Sequence, residues 1–491
     1  MKYRRWVLLS ALLYLLFSFP SYSYASGNSG TYTYNVNRDA VPSAQAYRVS
    51  LVVDEEIMGC AGLSSPQDIF VDSKDITYIL DSGNARVVIL DKNFKCIKEI
   101  REFSYQGEIL TLAKGAEGIF FRESNASLYI ADTENNRIIV ADLDGNVSHI
   151  YEKPVGELLD PTVAYKPQKI VVDNMGIMYV TSGNVNTGAL MIDSNNEFKG
   201  FYGANSVSAT WEVIVEYMWR SIMTKEQRAQ SEYSFQPTEF NNIFWSEDRF
   251  IYAVSPISAT IESPVVKLNA VGNNVLNETE FGDMKSNSWT VNSNAIFSDI
   301  TADEDNVFTI LDTTSGKLYQ YDEECNLLTI FGGIGYQNGL FVMPVSVETN
   351  STHDILVLDA SKNTITVMEQ TYYGEMIRKA VFLHNEGLYV EAVEPWEEVI
   401  RMNPNYYLAY KGMGKAYVAF GDYKTAMRYF ELGMDKVGYS DAKGKLRNEI
   451  IKENFTLIVV CVVGALILIM GFDSIKKILK KIKTKERKSR K

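Results

Sequence analysis

Between residues 46 and 369, short apolar runs and polar turns return in the same order several times. Residues 76–91 form a β-rich run, a polar turn holding Asn84 and Arg86, and a second β-rich run ending in an acid. Residues 127–142 repeat this with Asn136 and Arg137 in the turn. Each unit is a hairpin signal. Weaker copies occupy 178–193, 250–269, 307–322 and 355–368. Their turns are anchored by Asp81, Asp132, Ser182, Ser255, Asp312 and Asp359. Most anchors lie about 50 residues apart, a period that signals a stacked repeat, with one longer interval between Ser182 and Ser255.

Another β-rich run precedes most anchors, as at 67–72, 168–173 and 299–303. A fourth often follows, as at 94–99 and 327–332. Four strands per period make one blade of a β-propeller, and six such blades predict a mainly β, six-bladed propeller over 26–369. No blade buries both of its faces alone, so neighbours complete each other's core. The sixth copy supplies strands near Val345, Leu356 and Ile365, but the chain turns helical by about Met376, so its outer strand is missing. The β-rich run at about 46–53 is the natural donor and is expected beside the 364–368 strand, where it pairs an otherwise open edge.

Two stretches break the β pattern. Trp211, Val215, Met218, Trp219 and Ile222 recur at helical spacing, and Thr224 to Gln227 reads as a capping box. A helical insertion is therefore expected at about 207–232, against one propeller face. After Glu369 the period is helical throughout. Ala380, Leu383, Gly387, Tyr389, Ala392, Trp396, Val399 and Pro404 form one series. Tyr410, Gly414, Tyr417, Gly421, Tyr423, Ala426 and Phe430 form the next, about 34 residues later. Small residues at 380 and 414, and at 392 and 426, let helices cross closely.

The first two turn units, Asp132-Thr133 with Asn136-Arg137 and Asp81-Ser82-Gly83-Asn84 with Arg86, resemble the NHL repeat. The later four copies lack the Arg. The resemblance implies a six-bladed propeller. The turn Asp, Asn and Arg read as blade builders, because Asn tolerates left-handed backbone and Asp accepts bonds from nearby amides. The helical series over 373–453 resembles two TPR-like repeats, which implies protein docking or a rigid stalk, with the helix around 443–452 as a cap.

The chain ends carry a topology signal. A basic start, an apolar run from Trp6 to Phe19 and a Ser-x-Ala ending predict a signal peptide over 1–25. Residues 455–472 carry no charge and predict one transmembrane helix. Residues 473–491 hold ten Lys or Arg against two acids, a basic cytoplasmic tail by the positive-inside rule. The expected protein is thus a single-pass cell-membrane protein with an extracellular ectodomain and its tail on anionic lipid headgroups. Of the net −13, the signal carries +3 and the tail +8, which leaves −24 between them. Such an acidic ectodomain disfavours nucleic acid as a partner.

Candidate chemistry is sparse. The chain has three histidines, His149, His353 and His384, and four cysteines, with no metal-ligand spacing among them. Cys60 and Cys96 are left open as thiols or a disulfide. No nucleophile elbow, phosphate loop or dinucleotide fingerprint occurs. No catalytic, cofactor or metal residue is assigned, and the binding residues stay unknown. The leading expectation is a non-catalytic binding scaffold for a protein or carbohydrate-type ligand. One alternative is a calcium-dependent, lactonase-like hydrolase drawing on acids and amides such as Glu117, Asp173, Asn174, Asn241 and Asp303. A second is an accessory subunit of a membrane transporter or cell-wall assembly.

Overall fold

The computed structural model describes residues 31–34, 39–156, 159, 164–183, 185, 188–203, 239–256, 263–277, 279–283 and 295–489. The expected signal peptide and the helical insertion at 207–232 lie outside the described residues. The described chain divides into two compact units, Met1–Glu375 and Met376–Lys491.

The first unit is a six-bladed propeller of antiparallel sheets. Blade 1 is Asp68–Val71, Thr77–Asp81, Arg86–Leu90 and Cys96–Ile100. Blade 2 is Gly118–Arg122, Ser127–Asp132, Arg137–Ala141 and Val147–Tyr151. Blade 3 is Pro167–Val172, Met178–Ser182, Ala189–Ile192 and Phe198–Tyr202. Blade 4 shows three strands among the described residues: Asn242–Trp245, Ile251–Val254 and Val265–Leu268. Blade 5 is Phe297–Ala302, Phe308–Asp312, Lys317–Tyr321 and Leu327–Gly332. Blade 6 is Pro344–Thr349, Ile355–Asp359 and Thr364–Gln370, completed by Tyr47–Val53 from the start of the chain.

Face-to-face stacking explains why the second strand of a blade is apolar on both sides. In blade 1, Tyr78 and Leu80 pack with Phe121 and Ile130 of blade 2. Ile79, one residue out of phase, packs with Leu356 and Leu358 of blade 6. Successive side chains on a strand point to opposite faces, so a strand between two blades must be apolar throughout.

The closing strand is held by more than its ladder. Ile365 pairs with Val53 and Gln370 with Tyr47. Val53 and Tyr47 are fully buried. Tyr47 stacks on Phe331 at 4.6 Å and its hydroxyl accepts from Gln320 Nε2 at 3.0 Å. One side chain therefore ties blade 6 to blade 5, and burying each such ring contributes about 1.5–3 kcal/mol. A second N-terminal device was not visible in the sequence pattern. The hairpin Tyr32–Tyr34 and Ala40–Pro42 adds to the outer edge of blade 5, with Tyr32 opposite Ile330.

The second unit is helical. Helix α1 (Tyr372–Asn385) begins at the unit boundary, and α2 (Val393–Met402), α3 (Tyr407–Phe420), α4 (Tyr423–Leu432), α5 (Lys436–Glu453) and α6 (Phe455–Ser489) follow. The small residues do what their spacing implied. A Cβ on Gly414 would stand 2.5 Å from the Phe430 ring, and one on Gly412 would stand 2.2 Å from Trp396 Nε1. Ala426, Phe430 and Ala442 form the buried seam that joins α4 to α5.

The expected single transmembrane helix at 455–472 needs correction. No single helix among the described residues is long and apolar enough to cross a membrane. Lys436–Glu453 and Phe455–Ile469 pass that test only as a pair, bent by 69°.

Candidate ligand site in the propeller channel

The register of the six inner strands places one residue per blade at each level of the channel. Asp68 pairs with Leu80, Gly118 with Ala131, Asn242 with Val254, Asp299 with Leu311 and Ser346 with Leu358. In every case the partner lies one residue before the turn anchor. Blade 3 has a bulge here, and Lys169 fills the position by donating its backbone N–H to Thr181 Oγ1. The floor ring is thus Asp68, Gly118, Lys169, Asn242, Asp299 and Ser346.

Two residues further along each strand, alternation brings the next inward side chain. That second ring is Phe70, Phe120, Val171, Phe244, Thr301 and Glu348, paired with Tyr78, Tyr129, Tyr179, Tyr252, Thr309 and Leu356. Blades 1 to 4 supply an apolar, mostly aromatic arc, with Phe70 and Phe120 edge-to-face at 5.2 Å. Blades 5 and 6 supply a polar one. Above the rings opens a cavity of about 580 Å³ whose lining includes Phe70, Phe120, Phe244, Trp245, Thr301 and Glu348. A space of about 40 Å³ continues below, reaching Asp68, Lys169, Asn242 and Asp299. The larger volume suits one small organic molecule.

The floor is a bonded set of charges. Asp68 accepts from Ile119 N at 2.8 Å, Lys169 Nζ at 2.6 Å and Ser346 Oγ at 3.1 Å. Asp299 accepts from Val347 N at 2.7 Å, Ile300 N at 2.8 Å and the Asn242 amide. Glu348 accepts from Thr301 Oγ1 at 3.0 Å. Both aspartates bind a backbone amide of the following blade, so they also brace the ring. Three carboxyls face one ammonium, and burial penalises their charge. Burial, opposed by Lys169 and reinforced by Asp68, pushes Asp299 up to about 6. Burial and then the Asp299 charge hold Glu348 well above the usual carboxylate range. Burial works against the Lys169 ammonium, but Asp68 and Asp299 more than offset it and raise its pKa.

The turn residues singled out by the repeat lie elsewhere and build blades. Asp81 accepts from Ser64 N at 2.7 Å, Asn84 Nδ2 at 2.9 Å and Arg86 Nε at 2.6 Å. Blade 2 repeats this, with Asp132 accepting from Ala113 N, Asn135 Nδ2 and Arg137 Nε at 2.8, 2.8 and 2.7 Å. Asn135 is thus the counterpart of Asn84. Its neighbour Asn136 supplies the left-handed residue, at φ 55°. Arg86 is fully buried and also donates to Glu99, Ala61 O and Gly62 O.

The acids and amides named for a cation do not converge. Asp173 and Asp303 each accept two amides of their own turns, from Met175 and Ile177 and from Asp305 and Val307. Asn241 donates to Phe297 O at 2.6 Å, and the carbonyl of Asn174 accepts from Arg122 at 2.8 Å. Glu117 lies just before the floor ring, its pKa raised by burial. His149 stacks on Tyr151 on an outer strand, His353 lines the cavity with Nδ1 4.0 Å from Asp303 Oδ2, and His384 contacts Lys415 Nζ at 2.8 Å in the helical unit.

Among the described residues, one group has the donor set and spacing to hold a metal: Cys60, Cys96 and Glu99, with ligand atoms within 4.8 Å of one another. Its chemistry fits a cation poorly. Glu99 is already paired with Arg86 and Arg101. Burial, and then the Cys96 thiol, push the Cys60 thiol up to about 12. Both cysteines are unpaired thiols in the structure.

No known family profile matches the chain, and no curated protein matches its sequence. Solved structures resemble it at low identity. A virginiamycin B lyase from Staphylococcus aureus is 13% identical with a TM-score of 0.41, over 66% of this chain and 100% of that one. A protein of unknown function from Bacteroides thetaiotaomicron is 13% identical with a TM-score of 0.42, over 67% and 77%. The WD40 propeller domain of Doa1 is 11% identical with a TM-score of 0.39, over 67% and 99%. Similarity this distant assigns none of their activities to this chain.

Proposed function

We propose that the protein is a binding scaffold whose propeller takes a small ligand into its axial channel. The observation that carries this reading is the two-sided second ring, an aromatic arc facing Thr301 and Glu348 across a 580 Å³ cavity. Apolar walls with a few polar groups are how binding cavities fix orientation.

The helical unit serves as a TPR-like docking surface or stalk. The fit of Phe430 against Gly414 and the roughly 34-residue spacing support that role. Residues from 455 onward hold the protein at a membrane surface, with the lysine-rich end against anionic headgroups. Support comes from apolar side chains left in the open, including Leu457 at 62% and Leu468 at 75% exposure, next to that basic run. The full-length protein should float with anionic vesicles, and deleting residues 455–491 should release it. Flotation that survives the deletion contradicts this placement.

Thermal-shift screening of the full-length protein with amines, sugars, carboxylates and short peptides tests the channel. At least one class should raise the melting temperature, and Val171→Trp, which fills the second ring, should abolish the rise while the variant still melts cooperatively. No shift with any class, or an equal shift in Val171→Trp, overturns the reading.

A further inference from the structure

The channel reading leaves the ligand class open, and the charge around the cavity narrows it. Among the described residues, six carboxylates line the main cavity against two guanidiniums. Beneath, the one ammonium that reaches the smaller space is bound to Asp68. A concave site with surplus negative charge concentrates cations at its mouth.

The walls say what kind of cation. Inorganic cations want several converging oxygen ligands, and the channel acids form no such group among the described residues. The second ring instead presents three phenylalanine rings and, in the blade next to that of Phe70, Glu348, only 7% exposed and reaching both spaces. Aromatic faces attract a desolvated organic cation through the ring quadrupole, and a cation bound there favours ionisation of the Glu348 carboxyl, which then supplies the counter-charge.

We infer, resting on the channel-binding reading, that the channel takes a small organic ammonium ion, its apolar substituents against Phe70, Phe120 and Phe244 and its charge toward Glu348. A neutral sugar would stack on the same rings but leave the surplus negative charge unanswered. The cation answers both halves of the ring. Size agrees, because the cavity holds a whole small molecule, not only the tip of a side chain.

The test uses choline, its neutral isostere 3,3-dimethyl-1-butanol, and cellobiose, titrated calorimetrically into the full-length protein. Choline should bind at least tenfold more tightly than the alcohol or the sugar. Glu348→Gln should weaken choline about tenfold and leave the alcohol unchanged. Phe120→Leu, which keeps an apolar side chain in the blade, should weaken choline without changing the melting temperature by more than a few degrees. An alcohol or sugar that binds as tightly as choline overturns the cation assignment and leaves the channel reading standing. So does choline binding that Glu348→Gln leaves untouched. If no probe binds, and no class in the thermal screen gives a shift that Val171→Trp removes, both fall together.

Discussion

Two sets of buried charge in the propeller use the same residue types to opposite ends. In the turn of blade 1, Asp81, Asn84, Arg86 and Glu99 saturate one another, and blade 2 repeats the core of the arrangement with Asp132, Asn135 and Arg137. In the channel, Asp68, Lys169 and Asp299 share the floor ring and Glu348 stands in the ring above, yet no blade repeats another's full set, and the acids outnumber the base. Charge that recurs with the repeat builds the repeat. Charge that differs from blade to blade, buried without full compensation, opposes stability, and function is the usual reason for keeping it.

The sharpest break of this comparison is Arg86→Ala. It strips a fully buried cation from Asp81 and Glu99, leaves the buried Asp81 without an ion pair and leaves Glu99 only Arg101. A cost of about 3–5 kcal/mol is expected. Arg137→Ala should cost less, because that side chain is 19% exposed and lacks the second acid. Urea denaturation of the two variants checks the order, and equal losses would mean that burial does not set the strength of the turn network.

The pH dependence separates the two sets next. Asp299 and Asp322, the latter just after the third strand of blade 5, are both raised to about 6 by burial, and Glu348 is raised well above the usual carboxylate range, so they hold protons in the folded state that the unfolded chain has released above about pH 4. Their contribution is fully present below that value and is lost as pH rises through 6. Glu99 runs the other way: burial opposes its charge, but Arg86 and Arg101 lower its pKa. Its contribution is present at neutral pH and lost only in stronger acid. Stability should therefore rise by about 1–3 kcal/mol on going from pH 7.5 to 5.5. Glu348→Gln should shrink that rise, since it removes one proton site and one charge beside Asp299. A melting temperature that falls over this interval contradicts the assignment.

How much of this was legible beforehand depended on recurrence. The strand at 46–53 was placed as the closing partner because the sixth copy lacked an outer strand, and Tyr47–Val53 lies beside Thr364–Gln370. The turn residues were legible because two copies spell them alike, although Asn136 stood in for Asn135. The hairpin that edges blade 5 was not, since three residues such as Tyr32–Tyr34 carry no period. The floor ring was hidden because its six residues share no chemistry. A positional signal existed all the same: each lies about 13 residues before its turn anchor, a distance fixed by the two-stranded start of a blade. The span at 455–472 rested on an uncharged run alone, and no single helix among the described residues is long and apolar enough to cross a membrane.

The smallest expected change in stability is the most informative. Glu348 accepts from the Thr301 hydroxyl at 3.0 Å, and glutamine at that position still offers a carbonyl oxygen to accept it. At pH 7.5, Glu348→Gln should melt within about 1 kcal/mol of the unaltered protein, or above it, since a buried acid is replaced by a neutral isostere. Measured beside choline affinity on the same preparation, the predicted result is an intact fold with weakened binding. A loss of stability as large as that of Arg86→Ala, with binding unchanged, would show that the channel charges are structural after all.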